Sequence, residues 1–339
     1  MRSIVSIPTR RRRASATAVA LTIGAVLVAG CAYEPTPVPK SAEETAAAPA
    51  DASDDAPECT TDQGTLASYA PDADGGATVQ RIRDRGRIIV GISADTYQMG
   101  FRNPKTNKIE GFDIDIVRAV AQAIFGGGFD GSSSIQFRVI EAADRIPLLV
   151  DGDVDMVVRN MTINCERWEE IRFSQVYYEA TQKVLVGTEL ADELALAGEQ
   201  FEVADLAGQR VCAPEGSTSV DNVREAEPEV DVASAPNHTG CLVDFQQGEV
   251  DAITGDDTVL AGLAAQDPLA VVPDQEPLTT EPYGVGVGPD SADLAAFVNA
   301  VLEDMRTDGR WQRSYQQWLA PYLGDGASQP QPVQPYRSR

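Results

Sequence analysis

The chain of 339 residues carries 27 basic and 52 acidic side chains, a formal net charge of -25. A balance this acidic excludes a nucleic-acid binder, which needs a cationic footprint, and argues against electrostatic docking on anionic lipid. It is compatible with a small acidic ligand, because one or two arginines set the potential inside a pocket, and the length allows two packed domains.

Arg10 to Arg13 form a positive leader, Ala14 to Ala29 an apolar stretch too short to span a bilayer comfortably, and Val28-Ala29-Gly30-Cys31 places small residues before a cysteine. This order resembles a bacterial lipoprotein signal. Residues 1–30 are then a signal peptide, and Cys31 is the lipid-modified N-terminus of a protein held on the outer face of the cell membrane. From Ala32 to Ala77 small, polar and acidic residues dominate. They bury too little apolar surface to offset ordering entropy, so 31–77 reads as a disordered tether. Residues 324–339, with Gln-Pro repeats, read as a disordered tail.

Cys59, Cys165, Cys212 and Cys241 are an even number in an exported chain, which predicts two disulfides with three possible connectivities. Domain membership favours Cys212 with Cys241 and Cys59 with Cys165. Zinc is the competing reading, since His238 lies three residues before Cys241, but there is no C-x-x-C pair.

Strand and helix patterns alternate from residue 78 onward. A short helix from Thr78 to Arg85 precedes the apolar strand Arg87 to Ile92, and Gly111 to Ala121 has apolar residues at helical spacing. A strand from Ile135 to Ile140, a helix from Asp144 to Val150 and a strand from Val154 to Val158 follow. Gln182 to Gly187 is extended and leads to an acidic spacer, Thr188 to Glu202. A second series then runs through Arg210 to Ala213, a helix opened by Gly216-Ser217-Thr218-Ser219, a strand near Val230, a helix from Gly240 and the strand Asp251 to Thr254. The chain returns through Tyr283 to Val287 and ends in helices Ser291 to Arg306 and Trp311 to Leu319. Alternation of this kind predicts an α/β fold with parallel sheets and ligands at the carboxyl ends of the strands. Two such series joined by two crossing stretches predict two lobes: 78–184 with 283–323, and 185–282.

The stretch Asn160 to Trp168 follows the strand ending at Val158. A polar loop with an arginine at the start of a short helix offers backbone N–H groups and a guanidinium at one place, which suits a carboxylate.

Gly111-Phe112-Asp113-Ile114-Asp115, Val154 to Val158 through Thr162 and Arg167, Phe173-Ser174, Asp205-Leu206, Gly216-Ser217-Thr218, Val250-Asp251-Ala252 with Asp256, and Tyr283-Gly284-Val285 stand in one ordered set. The set resembles the polar amino-acid binding proteins of ABC importers, solute-binding family three, and within it the actinobacterial glutamine/glutamate-binding lipoproteins. The resemblance covers about residues 80 to 320. It implies the two-lobed periplasmic-binding-protein type II fold, each lobe a mainly parallel sheet flanked by helices, the two joined by hinge strands.

The family pattern places Arg167 on the ligand's α-carboxylate, helped by the backbone N–H groups of Thr162 and Thr218 beside Ser217. It places the Asp256 carboxylate on the α-ammonium, with Asn160 and the Thr162 hydroxyl nearby. Arg159 matches a position that faces the ligand's own side chain, where a guanidinium favours a carboxylate or amide. Arg102 is a second candidate for that role, and Asp95 and Tyr97 match pocket-wall positions. The implied ligands are glutamate, aspartate, glutamine or asparagine. The implied partners are an ABC permease and ATPase or a membrane sensor, with the chain acting as a monomer without a cofactor.

An enzyme on this fold, such as a periplasmic dehydratase, needs a positioned acid or histidine in the cleft. The single histidine, His238, falls in a polar loop expected to be solvated, and neither a G-x-S-x-G elbow nor H-E-x-x-H occurs. The insert Gly126 to Ser134 has no role in this reading.

Overall fold

A computed structural model describes residues 59, 62–131 and 133–339. The signal segment and Cys31 lie outside the described residues.

Two sheets form the two lobes. In the first, the strands run in the order Ile135–Val139, Ile88–Ile92, Met156–Val157, Gly286–Val287, Arg172–Phe173. The first three are parallel, and Gly286–Val287 is antiparallel to both its neighbours. Apolar runs such as Ile88–Ile92 are continuous because helices cover both faces of such a sheet. One of these helices, Phe112–Phe125, buries Phe112, Ile116, Val117, Val120 and Ile124 at helical spacing.

The second sheet runs Asp231–Ala235, Arg210–Pro214, Ala252–Asp256, Tyr178–Gly187, Ala270–Val271, with Thr279–Tyr283 also paired to Tyr178–Gly187. Its first three strands are parallel, whereas every pairing made by Tyr178–Gly187 is antiparallel. This sheet is therefore mixed rather than mainly parallel. Helical crossovers make strands parallel, but the strand arriving from the first lobe enters from the opposite end.

The lobe boundary also moves. Gln182 to Val186 pair with Ala252–Asp256, so the whole of Tyr178–Gly187 belongs to the second sheet. The crossing lies at Tyr177 and Tyr283, where the Tyr177 N–H donates to the Tyr283 carbonyl at 2.9 Å and Thr162 bridges Tyr283. Trp311 holds this point from the first lobe, its indole N–H donating to the Tyr177 carbonyl at 2.7 Å. The acidic spacer is corrected as well: Thr188–Ala197 is a helix, as its alanines, leucines and glutamates favour.

The tether and tail readings fail where the residues are described. Ala67, Ser68 and Tyr69 are buried, as is Gln329. Tyr69 bridges Arg337, whose guanidinium lies 4.1 Å over the Trp168 ring. Asn299 donates to Ser68 Oγ and to the Tyr69 carbonyl, and Gln329 donates to the Leu302 carbonyl. Both ends pack on the first lobe through hydrogen bonds to distant residues, and such bonds leave no apolar periodicity. Disulfides join Cys59 to Cys165 and Cys212 to Cys241.

Candidate functional site

The lobes meet over a small cavity whose walls are Ala142, Arg145, Arg159, Asn160, Thr162 and Arg167 from the first lobe and Pro214, Ser217, Thr218, Ser219, His238 and Asp256 from the second. Its volume, about 20 Å³, is room for a single water. A larger ligand reaches these groups only when the lobes part further. A groove of about 540 Å³ runs outside it and shares Arg167, Ser217 and Thr218. The charged groups cluster at the enclosed end.

The loop after Met156–Val157 is braced from beneath. Asn160 adopts a positive φ of 34°, and its N–H donates to Asp113 Oδ2 at 2.9 Å, while the Tyr177 hydroxyl donates to Asp113 Oδ1 at 2.8 Å. Burial pushes the Asp113 carboxyl up to about 6 against these two bonds. Asn164 caps the helix Cys165–Glu170, accepting from the Arg167 N–H at 2.9 Å. The Arg167 guanidinium then turns back, donating to the Thr162 carbonyl at 2.6 Å and across the cleft to the Gly216 carbonyl at 3.3 Å. N–H groups of the same fork remain for an oxyanion.

Arg145 and Arg159 stand beside it. Arg145 donates to the Ala142 carbonyl at 2.8 Å and to the Gly216 carbonyl at 2.9 Å; Arg159 donates to the Ile140 carbonyl at 3.0 Å and approaches Glu141 at 3.8 Å. All three arginines are buried. Desolvation depresses each of their pKa values, and the charges of Arg167 and Arg159 depress Arg145 further.

In the second lobe Asp256 ends the strand Ala252–Asp256. Its Oδ2 accepts from the Tyr283 hydroxyl at 2.6 Å, whereas the buried Oδ1 has no partner. Desolvation, reinforced by the nearby charge of Glu281, raises the Asp256 carboxyl to about 7. The Ser217 hydroxyl donates to the Pro214 carbonyl at 2.7 Å and so shapes the turn before Thr218.

His238 is not a solvated loop residue. It opens the helix His238–Gln246 just past the carboxyl end of Asp231–Ala235, and its Nε2 is buried without a partner in the cavity wall. Gly255 leaves room for the ring, since a Cβ there would strike Nε2. Burial and the Arg159 charge push the imidazole down to about 4, so it is neutral at pH 7.

Seven of the expected residues thus share one cavity: Arg159, Asn160, Thr162, Arg167, Ser217, Thr218 and Asp256. Three do not line it. Arg102 is exposed and turns to the Asn107 carbonyl at 3.1 Å, because it belongs to a small hairpin sheet outside the cleft. The Tyr97 ring packs edge-on against Phe101 and Tyr322. Asp95 accepts from Ser93 Oγ at 2.7 Å and acts on the site through its charge, on Arg159 and on His238.

Sequence reasoning missed Arg145, which opens the helix Arg145–Val150 beyond a strand end. It also missed Glu281, a buried carboxylate at the hinge. For Arg145 and His238 the available signal was position, since each follows the carboxyl end of a parallel strand.

Beside the cavity the lobes touch at Gly216, whose φ is +69° and where a Cβ would stand 2.8 Å from Ala143 Cα. Gly216→Ala is therefore expected to hold the lobes apart and weaken ligand binding about tenfold or more, a cost of roughly 1.4 kcal/mol. Calorimetry checks the affinity, and solution scattering of the liganded protein checks the separation.

The sequence profile of the bacterial extracellular solute-binding proteins, family 3, matches residues 88–321. The chain belongs to this family. It is similar to the ABC transporter glutamine-binding protein GlnH of Bacillus subtilis strain 168, with 36% identity over 71% of this chain and 84% of that protein. It is also similar to the glutamate-binding protein GluB of Corynebacterium efficiens, with 30% identity over 75% of this chain and 84% of that one. Among solved structures, the ancestral amino acid-binding protein AncCDT-1, a precursor of cyclohexadienyl dehydratase, superposes with a TM-score of 0.62 at 28% identity, covering 71% of this chain and 99% of that one. These family 3 relatives are solute-binding proteins, and the fold is the two-lobed type II architecture.

Proposed function

We propose that this family 3 protein captures an α-amino acid with an acidic or amide side chain, glutamate, aspartate, glutamine or asparagine, and delivers it to an ABC importer. The observation that carries the reading is the charge layout of one cavity: a buried Asp256 oxygen without a donor faces three buried guanidiniums. A zwitterion taken from water needs both its charges met and hydrogen-bonded. Asp256 Oδ1 meets the ammonium, Arg167 meets the α-carboxylate, and Arg145 and Arg159 supply a second cationic region for a side-chain carboxylate or amide. The groups come from both lobes, so the ligand's binding energy favours closure. The likeness to glutamine- and glutamate-binding proteins supports the same ligand class. In this reading the protein is anchored through a lipid on Cys31, and mass spectrometry of the membrane-released N-terminal peptide tests for it.

Calorimetric titration with glutamate, aspartate, glutamine, asparagine, histidine and lysine tests the ligand. One of the first four is expected to bind best, and tightest binding of lysine or histidine overturns the reading. The buried Asp256 carboxyl near 7 in a cleft also has the character of a proton-transfer group, which favours a dehydratase as second reading. Release of water from a cyclohexadienyl acid, measured by absorbance, would support that alternative.

A further inference from the structure

We infer that Glu281 is a positioning residue: its carboxylate takes the hydroxyl protons of Thr162 and Thr218, so that these two hydroxyls turn only acceptor lone pairs toward the ligand cavity. Glu281 lies on the second hinge strand, Thr279–Tyr283, opposite Ala180 on the first, and it is buried. Its Oε2 accepts from Thr162 Oγ1 at 2.6 Å and from Thr218 Oγ1 at 2.8 Å. Its Oε1 accepts from Asn222 Nδ2 at 2.9 Å and Thr279 Oγ1 at 2.6 Å. Thr162 belongs to the first lobe, Thr218 and Asn222 to the second, and the carboxylate joins them at the hinge.

A hydroxyl has one proton and two lone pairs, and a carboxylate has about four acceptor sites. Glu281 fills its sites with four donors, and both threonine protons are spent on it. Thr162 and Thr218 nevertheless line the ligand cavity, where their remaining capacity is to accept. The unpartnered Oδ1 of Asp256 is in the same wall. An ammonium has three donors and no acceptor, so these three oxygens suit it and offer nothing to a neutral acceptor or an anion. The guanidiniums serve the opposite need. Glu281 therefore acts through Thr162 and Thr218, sorting the two ends of the ligand. It does so only when the lobes are together, because the two hydroxyls come from different lobes. The inference deepens the amino-acid reading above and rests on it for the identity of the ammonium.

Glu281→Met tests it at similar length. The thioether removes the oxygen that Thr162 and Thr218 share, so both hydroxyls are released to turn their protons into the cavity. Calorimetry with L-glutamate and with glutarate, which lacks the ammonium, reads the effect. Glu281→Met is expected to weaken glutamate at least tenfold and to leave glutarate within about twofold of the unaltered protein. Equal weakening of both would mean that Glu281 serves closure alone, and unchanged binding of both would remove it from the site; either result overturns the inference. Neutron diffraction from deuterated crystals of the unaltered, ligand-free protein with its lobes together gives a second readout that needs no ligand. Deuterons of Thr162 and Thr218 directed at Glu281 support the assignment, and deuterons directed into the cavity refute it. Failure of the unaltered protein to bind any of the titrated amino acids would instead overturn the ligand reading, with the neutron result still deciding Glu281.

Discussion

Arg167→Ala is expected to weaken amino-acid binding by a hundredfold or more while the protein stays folded. A ligand carboxylate drawn into the cleft loses its water, and removing its buried guanidinium partner leaves a desolvated charge, at a cost on the order of 3 to 5 kcal/mol. Two features of the site make the loss large. The Arg167 fork is held by the Thr162 carbonyl of its own lobe, so it is already aimed when the ligand arrives. Its neighbours Arg145 and Arg159 are themselves tied to backbone carbonyls and do not swing in to replace it. Arg167→Lys is expected to recover little, because an ammonium cannot reproduce the two-pronged donation. Calorimetry checks the affinity and a thermal melt checks the fold; an affinity within threefold of the unaltered protein would remove Arg167 from the site.

Asp256→Asn is the second large effect, with a distinctive pH signature. The ammonium pairs with ionised Asp256, and in the free protein that carboxyl titrates at about 7. Affinity is therefore expected to be constant above pH 8 and to fall toward tenfold per unit as pH drops below 7. Asparagine abolishes that slope and weakens binding at pH 8 by about a hundredfold, since the ammonium then meets only a neutral amide. The stability of the ligand-free protein runs the other way. The folded pKa of Asp256 lies above its ordinary value of 3.8, so the stability it contributes is fully present below about 4 and is lost as pH rises to about 7. Asp113, raised to about 6, titrates nearby, and the asparagine variant separates the two because it leaves Asp113 intact. His238, depressed from its ordinary 6.5 to about 4, opposes that slope, since the cost of keeping it neutral in the fold is relieved as pH rises from about 4 to 6.5, and the asparagine variant leaves it intact as well. A slope unchanged in the variant would assign the titration elsewhere.

Local pattern made most of the fold legible. Continuous apolar runs such as Ile88–Ile92 and the helical spacing in Phe112–Phe125 each lie within one stretch of chain, and so does the ligand loop from Asn160 to Arg167. What stayed hidden depends on distant partners. Asn299 reaches Ser68 across 231 positions, and Arg337 reaches Trp168. A tail rich in proline and glutamine looks solvated until those partners are known. Arg145 has the look of a surface arginine at a helix start, and Glu281 sits in a polar run, Thr279 to Tyr283, without apolar alternation. Each becomes a site residue only when the lobes bring Gly216, Thr162 and Thr218 to it. Arg102 erred in the other direction: a free cation in sequence, it is engaged by Asn107 in its own hairpin.

The position of Gly286–Val287 in the first sheet has a consequence for the order of assembly. This strand lies between Met156–Val157 and Arg172–Phe173, so the first sheet is interrupted until the chain has travelled out through the second lobe and come back. The second lobe, by contrast, is one unbroken stretch between the hinge strands Tyr178–Gly187 and Thr279–Tyr283. Closing its loops costs less entropy than joining Met156–Val157 to a strand about 130 positions later, so the second lobe is the unit placed to fold first. The half of the site holding Asp256 is then complete early. The half holding Arg167 waits for the returning strand, and for Cys59 to find Cys165.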